Sequence, residues 1–375
     1  MIDLTLSPLI GILILSGLAL LVQLYFYLFG FLRLARFKKN ESTFRKPPVS
    51  VVICARNEEE NLKKFLPLVL DQDYPEFEVI VVNDCSWDNS YDLLKEMAVS
   101  SKRLKVADIK EVEGREHGKK FAMTIGIKAA SYETLVLTDA DCYPSGPNWI
   151  SSIVDAYQPG KEIVLGYGKY EKLPGFLNLM IRFDSFFIAA QYLSMALRGK
   201  AYMGVGRNLS YQKNLFFQVK GFASHIHLDS GDDDLFINEV ATTTNTAIVV
   251  EKGSSTVSGP KTTWKTWFHQ KKRHVSTAKY YKSAHKSALT IEPISWYLLY
   301  FSCIAGFVLQ YNVLILISVL ILRAIVQIGI LHAIARKLDD VDLGWKAPFL
   351  ELVQRIFIYP LYFVSTFFVR KRKWK

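Results

Sequence analysis

Two aspartates one residue apart end the apolar run Leu135-Val-Leu-Thr-Asp-Ala-Asp141. Such a run reads as a buried strand, and a buried strand holds no charge within it. Asp139 and Asp141 therefore belong at the strand's exposed carboxyl end, where open α/β sheets bind ligands. Carboxylates so spaced can grip a divalent cation that also takes phosphate oxygens, although a solvated acidic loop would carry the same tripeptide. A second acidic turn, Gly231-Asp-Asp-Asp-Leu235, sets three like charges side by side. Crowding of that kind raises at least one carboxyl pKa, which suits a general base. Acidic residues also favour helix starts, so the turn reads as a solvated helix N-terminus too.

The elements that must position these groups lie between Pro47 and about residue 260, where strand and helix alternate. Val49–Cys54 is β-rich, and Glu58–Asp71 reads as a helix with Leu62, Phe65, Leu66 and Val69 on one face. Phe77–Val82 is the next strand, and Asp88 or Ser86 is placed to cap a helix reaching about Val99. Leu104–Ala107 is a weak strand, Gly118–Ser131 a helix and Leu135–Thr138 a strand. The alternation predicts βαβ units and a mostly parallel sheet. Three polar clusters then fall at equivalent strand ends: Ala55-Arg56-Asn57-Glu58, Asn83-Asp84, and Asp139 with Asp141. No GxxxxGK[ST] and no GxGxxG occurs, so a nucleotide would be held by side chains and a metal, not by a glycine cradle.

The flanks are apolar. Leu4–Leu32 has no charged residue, and Pro293–Ala335 has only Arg323, with a polar break at Gln310-Tyr311-Asn312. These read as a retained N-terminal anchor, residues 1–35, and two spanning helices joined by a short turn. Ala347–Val369 contains Glu351, Arg355 and Pro360 and reads as interfacial or re-entrant, completing a C-terminal region of residues 293–375. Arg323 in mid-span is costly unless paired, and Glu351 is the expected partner. Phe176–Arg198, interrupted by Arg182, Asp184 and Gln191, reads as a helix buried in or beside the central domain.

The net charge of +11 is concentrated beside these flanks. Residues 33–46 carry +5, residues 252–291 carry +9 and the tail Arg370–Lys375 carries +5, leaving −8 for the rest. A juxtamembrane linker (36–46) and a basic interfacial segment (261–292) suit anionic lipid, and the acidic middle excludes a nucleic-acid partner. By the positive-inside rule residues 47–260 are cytoplasmic, on an inner membrane that the chain crosses several times. Cys54, Cys85, Cys142 and Cys303 show no CxxC spacing and are expected as free thiols.

The runs VSVVICARNEEENL, EVIVVNDCSWDNS, HGKKFAMTIGIKAA and LVLTDADCYP resemble the GT-A domain of family-2 glycosyltransferases, in its membrane-bound branch. The likeness continues through Gly204–Tyr211 and Lys220-Gly-Phe222 to Gly231–Leu235, and covers roughly residues 47–275. It implies an α/β GT-A catalytic domain over residues 47–260, flanked by transmembrane helices. Ala55, Asn57 and Glu58 then lie where the nucleotide ring and ribose bind, with Asp84 on the base and Lys119 near the nucleotide. Asp139 and Asp141 match the carboxylates holding Mg²⁺ or Mn²⁺ on the diphosphate of a UDP- or GDP-sugar. Aligning Asp234-Leu235 with the family's Glu-Asp-x-Asp-Leu implies Asp232 as general base, with Asp233 competing.

Three departures narrow the reading. Asn83 stands where the family often has aspartate and Cys85 where it often has glycine, beside the base-binding Asp84. Gln270 and Arg273 keep the Gln-x-x-Arg of processive members and are expected on the diphosphate or acceptor, but His274 replaces the tryptophan. The alternative for this stretch is an interfacial helix with Trp264, Trp267 and Phe268 in the headgroups. The expected function is inverting, metal-dependent transfer of a sugar to a lipid or lipid-linked acceptor. A processive polysaccharide synthase and an inactive membrane scaffold are the competing readings.

Overall fold

The computed structural model describes residues 8–39, 46–110, 118–228 and 230–361. The expectations for residues 1–7 of the anchor, for the tail Arg370–Lys375 and for residues 362–369 lie outside them. Helix α1 (Pro8–Tyr25) continues through a π-helical turn, Phe26–Phe31, into α2 (Leu32–Arg36). The central region runs β1 (Val49–Ala55), α3 (Glu59–Leu70), β2 (Phe77–Asp84), α4 (Ser90–Ser100), β3 (Leu104–Ile109), α5 (Lys119–Ala129) and β4 (Thr134–Asp139). It continues through β5 (Cys142–Pro144), α6 (Trp149–Val154), β6 (Ile163–Leu165), β7 (Gly168–Tyr170) and α7 (Phe176–Ala196). Next come β8 (Leu209–Gln212), α8 (Lys213–Gln218), α9 (Asp234–Val240), β9 (Thr246–Ile248) and β10 (Thr256–Ser258). Helices α10 (Trp264–Val275), α11 (Ser283–Val308), α12 (Val313–Lys337) and α13 (Val341–Val353) follow.

Seven strands form one sheet in the order β3-β2-β1-β4-β8-β6-β9, and β5-β10-β7 form a second. The first four are parallel, as the alternation of strands and helices required, while β8 runs antiparallel to both β4 and β6. The strands are sequences of Val, Ile and Leu buried on both faces, which is what a parallel sheet between two helical layers demands. On one face α3, α4 and α6 cover the sheet with Leu62, Leu66, Leu94 and Trp149. On the other, α5 lies so close that a Cβ at Gly126 would stand 2.5 Å from Val52 Cγ1. That second core continues without a break through α7 into the apolar helices, joining Phe183 and Phe187 to Phe31, Leu34 and Ile334.

Among the described residues, three helices are long and apolar enough to cross a membrane: Leu9–Arg36, Ser283–Val308 and Val313–Lys337. Helix α11 begins ten residues before Pro293, inside the stretch read from sequence as interfacial. Its polar first turns, with Lys286 exposed, continue the apolar helix instead of ending before it. Helix α7 is buried nearly throughout, as its interrupting charges implied. Arg182 reaches Asp340 at 2.6 Å and Asp342 at 2.7 Å, tying α7 to the corner between α12 and α13. Arg323 does meet Glu351, at 2.7 Å.

Candidate active site

The parallel register sets the strand ends level: Ala55 lies opposite Asn83, and Cys54 opposite Asp139. Two loops interlock over this edge. Asn57, in the left-handed region at φ 56°, donates its N–H to Ser86 Oγ (2.9 Å) and accepts from Trp87 N (2.9 Å) through Oδ1. Glu58 N donates to Ser90 Oγ at 3.1 Å. Asp88 accepts from Ser90 N at 3.0 Å with one oxygen and from Glu59 N at 3.2 Å with the other, so its carboxylate serves two helix starts. Ser86, the other expected cap, instead accepts from Asn57. Cys85 sits at φ 52°, a conformation that explains glycine in the family pattern and costs a non-glycine residue roughly 1 kcal/mol. Asn83 donates to Asp108 Oδ1 at 2.8 Å.

Past the end of β4, Asp139, Asp141 and Cys142 offer ligand atoms within 4.8 Å of one another. Cys142 is the wrong donor. Burial, then the charges of Asp141 and Asp139, push its thiol well above the usual range, and its Sγ lies 3.1 Å from Ser258 Oγ. The remaining set is two half-buried carboxylates, hard oxygen donors that fit Mg²⁺ or Mn²⁺ with positions left for phosphate oxygens. Lys119, the first residue of α5, lies 2.8 Å from Asp139 Oδ1 and 3.0 Å from Asp232 Oδ2. Desolvation opposes its charge, but Asp139, Asp232 and Asp233 outweigh it and hold the ammonium well above the usual lysine range.

The acidic turn opens on Gly231 at φ 104°, where a Cβ would stand 2.6 Å from Leu235 Cδ1. Asp233 caps α9, accepting from Asp234 N with Oδ1 and from Gly206 N with Oδ2, both at 2.7 Å. Asp234 accepts from Thr277 and from Tyr281 Oη, the latter at 2.7 Å. Crowding acts as expected on two of the three. Burial, then Asp232 and Asp234, push Asp233 up to about 7, and burial raises Asp234. Burial works the same way on Asp232, but Lys119 overrides it and holds that carboxyl below its ordinary range.

A cavity of about 660 Å³ gathers Lys119, Asp139, Asp141, Asp232 and Asp233 with Gln270 and Arg273 of α10. Gln270 donates to Tyr170 Oη at 3.3 Å. His274 lines the cavity too. Ala55, Asn57, Glu58 and Asp84 do not line the cavity; they flank it along the sheet edge, where Glu58 feels the charges of Asp141 and Asp139.

Sequence reasoning missed Arg207, which lines the cavity, stacks over Tyr170 and donates to Gly168 O (2.6 Å) and Ser185 Oγ (3.0 Å). Its signal was available in the matched run Gly204–Tyr211, which was given no role. Asp184 was missed as well: it meets Lys271 of α10 and accepts from Gln354 Nε2 at 2.6 Å, fixing α10 over the cavity. Apolar and aromatic side chains line the same cavity, among them Ile188, Tyr192, Met203, Ala278 and Leu289 of α11.

The Glycosyl transferase family 2 model matches residues 50–219. Glycosyltransferase AglE of Haloferax volcanii is 28% identical over 189 residues, 50% of this chain and 59% of AglE. A glycosyltransferase of Haemophilus influenzae, itself uncharacterised, is 29% identical over 146 residues, 39% of this chain and 42% of that one. The chain thus spans about half the length of the curated relatives it matches. In fold it is similar to the mannosyltransferase PcManGT of Pyrobaculum calidifontis, solved with GDP-Man and Mn²⁺. That likeness has a TM-score of 0.58 at 17% identity and covers 87% of this chain and 97% of the other.

Proposed function

We propose that this chain, whose residues 50–219 match the glycosyl transferase family 2 model, transfers a sugar, with inversion, from a UDP- or GDP-sugar to a lipid or lipid-linked acceptor. The reaction would run at the cytoplasmic face of the inner membrane. The observation that carries the acceptor reading is the reach of one cavity from Asp139, Asp141 and Asp232 to Leu289 on a helix long and apolar enough to cross a membrane. An acceptor whose tail stays in the bilayer suits a cavity lined by both charged and apolar side chains, one of them on such a helix. The fold neighbour carries GDP-Man and Mn²⁺, the same pairing of nucleotide sugar and cation proposed here.

Asp232 is the proposed base. Both oxygens of Asp233 are held by backbone N–H groups, whereas Asp232 faces the cavity as an anion ion-paired with Lys119. It would take the acceptor hydroxyl's proton as that oxygen bonds to the anomeric carbon. The bond from this carbon to the diphosphate breaks on the opposite face, and the nucleoside diphosphate departs. Asp139 and Asp141 would hold a Mg²⁺ or Mn²⁺ ion, which supplies positive charge to the departing diphosphate. Gln270 and Arg273 are proposed to orient the diphosphate or the acceptor from the α10 side, and Ala55, Asn57, Glu58 and Asp84 to receive the nucleoside.

The test uses full-length protein in detergent with labelled UDP- and GDP-sugars, membrane lipid extract, and Mn²⁺ or EDTA. Label should pass into a solvent-extractable product with inverted anomeric configuration, and only with the cation. Asp139→Asn and Asp232→Asn should abolish it. A ladder of long polymer would establish the processive reading instead. Absence of both turnover and metal-dependent nucleotide binding would leave a scaffold.

A further inference from the structure

Helix α5 begins with two lysines, Lys119 and Lys120, and has no acidic residue in its first turn, an arrangement that opposes its own dipole. Each lysine is nonetheless held. Lys120 is buried and donates to His225 O (2.5 Å) and Leu228 O (3.0 Å), so it is committed to the chain. Among the described residues Lys119 is ion-paired with Asp139 and Asp232 alone, two groups assigned above to different tasks, and it bridges them with contacts of 2.8 and 3.0 Å. Its ammonium therefore occupies an oxygen of the carboxylate that a divalent cation would need. A cation arriving alone meets a like charge already seated. A cation arriving on a diphosphate brings anionic oxygens, and these offer Lys119 a new partner beside the N-terminus of an eleven-residue helix, itself favourable to phosphate.

We infer that Lys119 is an internal counter-ion that keeps a bare divalent cation off Asp139 and Asp141, so that the cation enters only together with the nucleotide diphosphate. Lys119 then moves from Asp139 to the diphosphate, and in leaving Asp232 frees the carboxylate that must receive the acceptor's proton. The inference rests on the cation reading of Asp139 and Asp141.

Mn²⁺ binding to the full-length protein in detergent, followed by electron paramagnetic resonance without any turnover, tests it. Without nucleotide, wild type should bind Mn²⁺ about tenfold or more weaker than Lys119→Met, the scale of one partly buried charge contact. Lys119→Arg, which keeps the charge, should bind as weakly as wild type. Adding UDP or GDP should tighten Mn²⁺ binding about tenfold or more in wild type and much less in Lys119→Met. Equal Mn²⁺ affinity of wild type and Lys119→Met without nucleotide overturns the inference and leaves the metal site standing. No Mn²⁺ binding in either protein, even with nucleotide, overturns the metal site and the inference with it. Should Lys119→Met fail to fold, wild type alone decides: Mn²⁺ affinity indifferent to both UDP and GDP is refutation.

Discussion

Replacing Glu351 by glutamine should destabilise this protein more than replacing both Glu351 and Arg323. Arg323 donates to Glu351 Oε2 at 2.7 Å, and its other N–H groups reach Gln23 Oε1 (3.0 and 3.1 Å) and Gln327 Oε1 (2.9 Å). Arg355 lies 2.9 Å from the second Glu351 oxygen and donates to both oxygens of Glu292 at 2.7 and 2.8 Å. All four charged side chains are at most 4% exposed, so two cations and two anions form a neutral, buried quartet joining α11, α12, α13 and the turn after α13. Glu351→Gln leaves one uncompensated buried positive charge, and breaking such a pair costs about 3–5 kcal/mol. Scaled by the unfolding entropy of a 375-residue chain, that is a loss of about 4–6 °C in Tm. In Arg323→Gln with Glu351→Gln, Arg355 keeps Glu292 and the quartet stays neutral, so much of the loss should return. The assay is thermal unfolding in detergent for wild type, both single variants and the double. A double variant at least as unstable as the sum of the singles would refute the reasoning, as would a Glu351→Gln loss near zero.

Three further outcomes follow from the site. The Asp233 carboxyl, pushed up to about 7, holds a proton that the unfolded chain releases near its ordinary value of 3.8. Its stabilising share is therefore full below that value and is lost as pH rises through 7. Wild type should lose stability relative to Asp233→Asn between pH 5 and pH 8, read as a falling Tm and worth about a few kcal/mol at most because Asp232 and Asp234 share the titration; a flat difference refutes the assignment. Gly231→Ala must place a Cβ against Leu235 at a φ of 104°, straining the backbone by about 1–3 kcal/mol and shifting Asp232. Transfer should fall about a hundredfold with secondary structure retained, and full activity would show that the turn tolerates the shift. Lys120→Met frees the turn around His225 and Leu228 that leads into the acidic residues, so kcat should fall with the donor KM unchanged. Recovery of kcat in Lys120→Arg supports positioning, while a raised donor KM in Lys120→Met would place the lysine on substrate instead.

What could be read in the sequence divides by the distance over which each cause acts. The four parallel strands were legible because each is a local run of buried β-formers, and the clusters at Ala55, Asp84 and Asp139 came with them by register alone. The antiparallel β8 was not legible, since nothing in Leu209–Gln212 states which edge it joins. The pairing of Arg323 with Glu351 was readable because a lone charge in an apolar span admits few partners. The pairing of Asp184 with Lys271 was not, because a helix of unknown placement admits many. The fate of the acidic turn was half legible. Crowding predicted a raised carboxyl, but which aspartate escapes it depends on Lys119, more than a hundred residues earlier.

The two charge clusters of this chain meet the same difficulty in opposite ways. In the quartet around Arg323, every buried charge is cancelled by another from the chain itself, and little is left for an outside group to gain. At the end of β4, Asp139, Asp141, Asp232 and Asp233 gather around a cavity, and among the described residues Lys119 alone is ion-paired with any of them. Even with Asp233 half-protonated near neutral pH, that cluster keeps a net negative charge. The quartet is neutralised within the chain, whereas these four aspartates share one ion-paired lysine, which leaves oxygens open to positive charge from outside. On the reading proposed above, a divalent cation on a diphosphate would bring that charge in, and the diphosphate would give Lys119 an anion to follow away from Asp232.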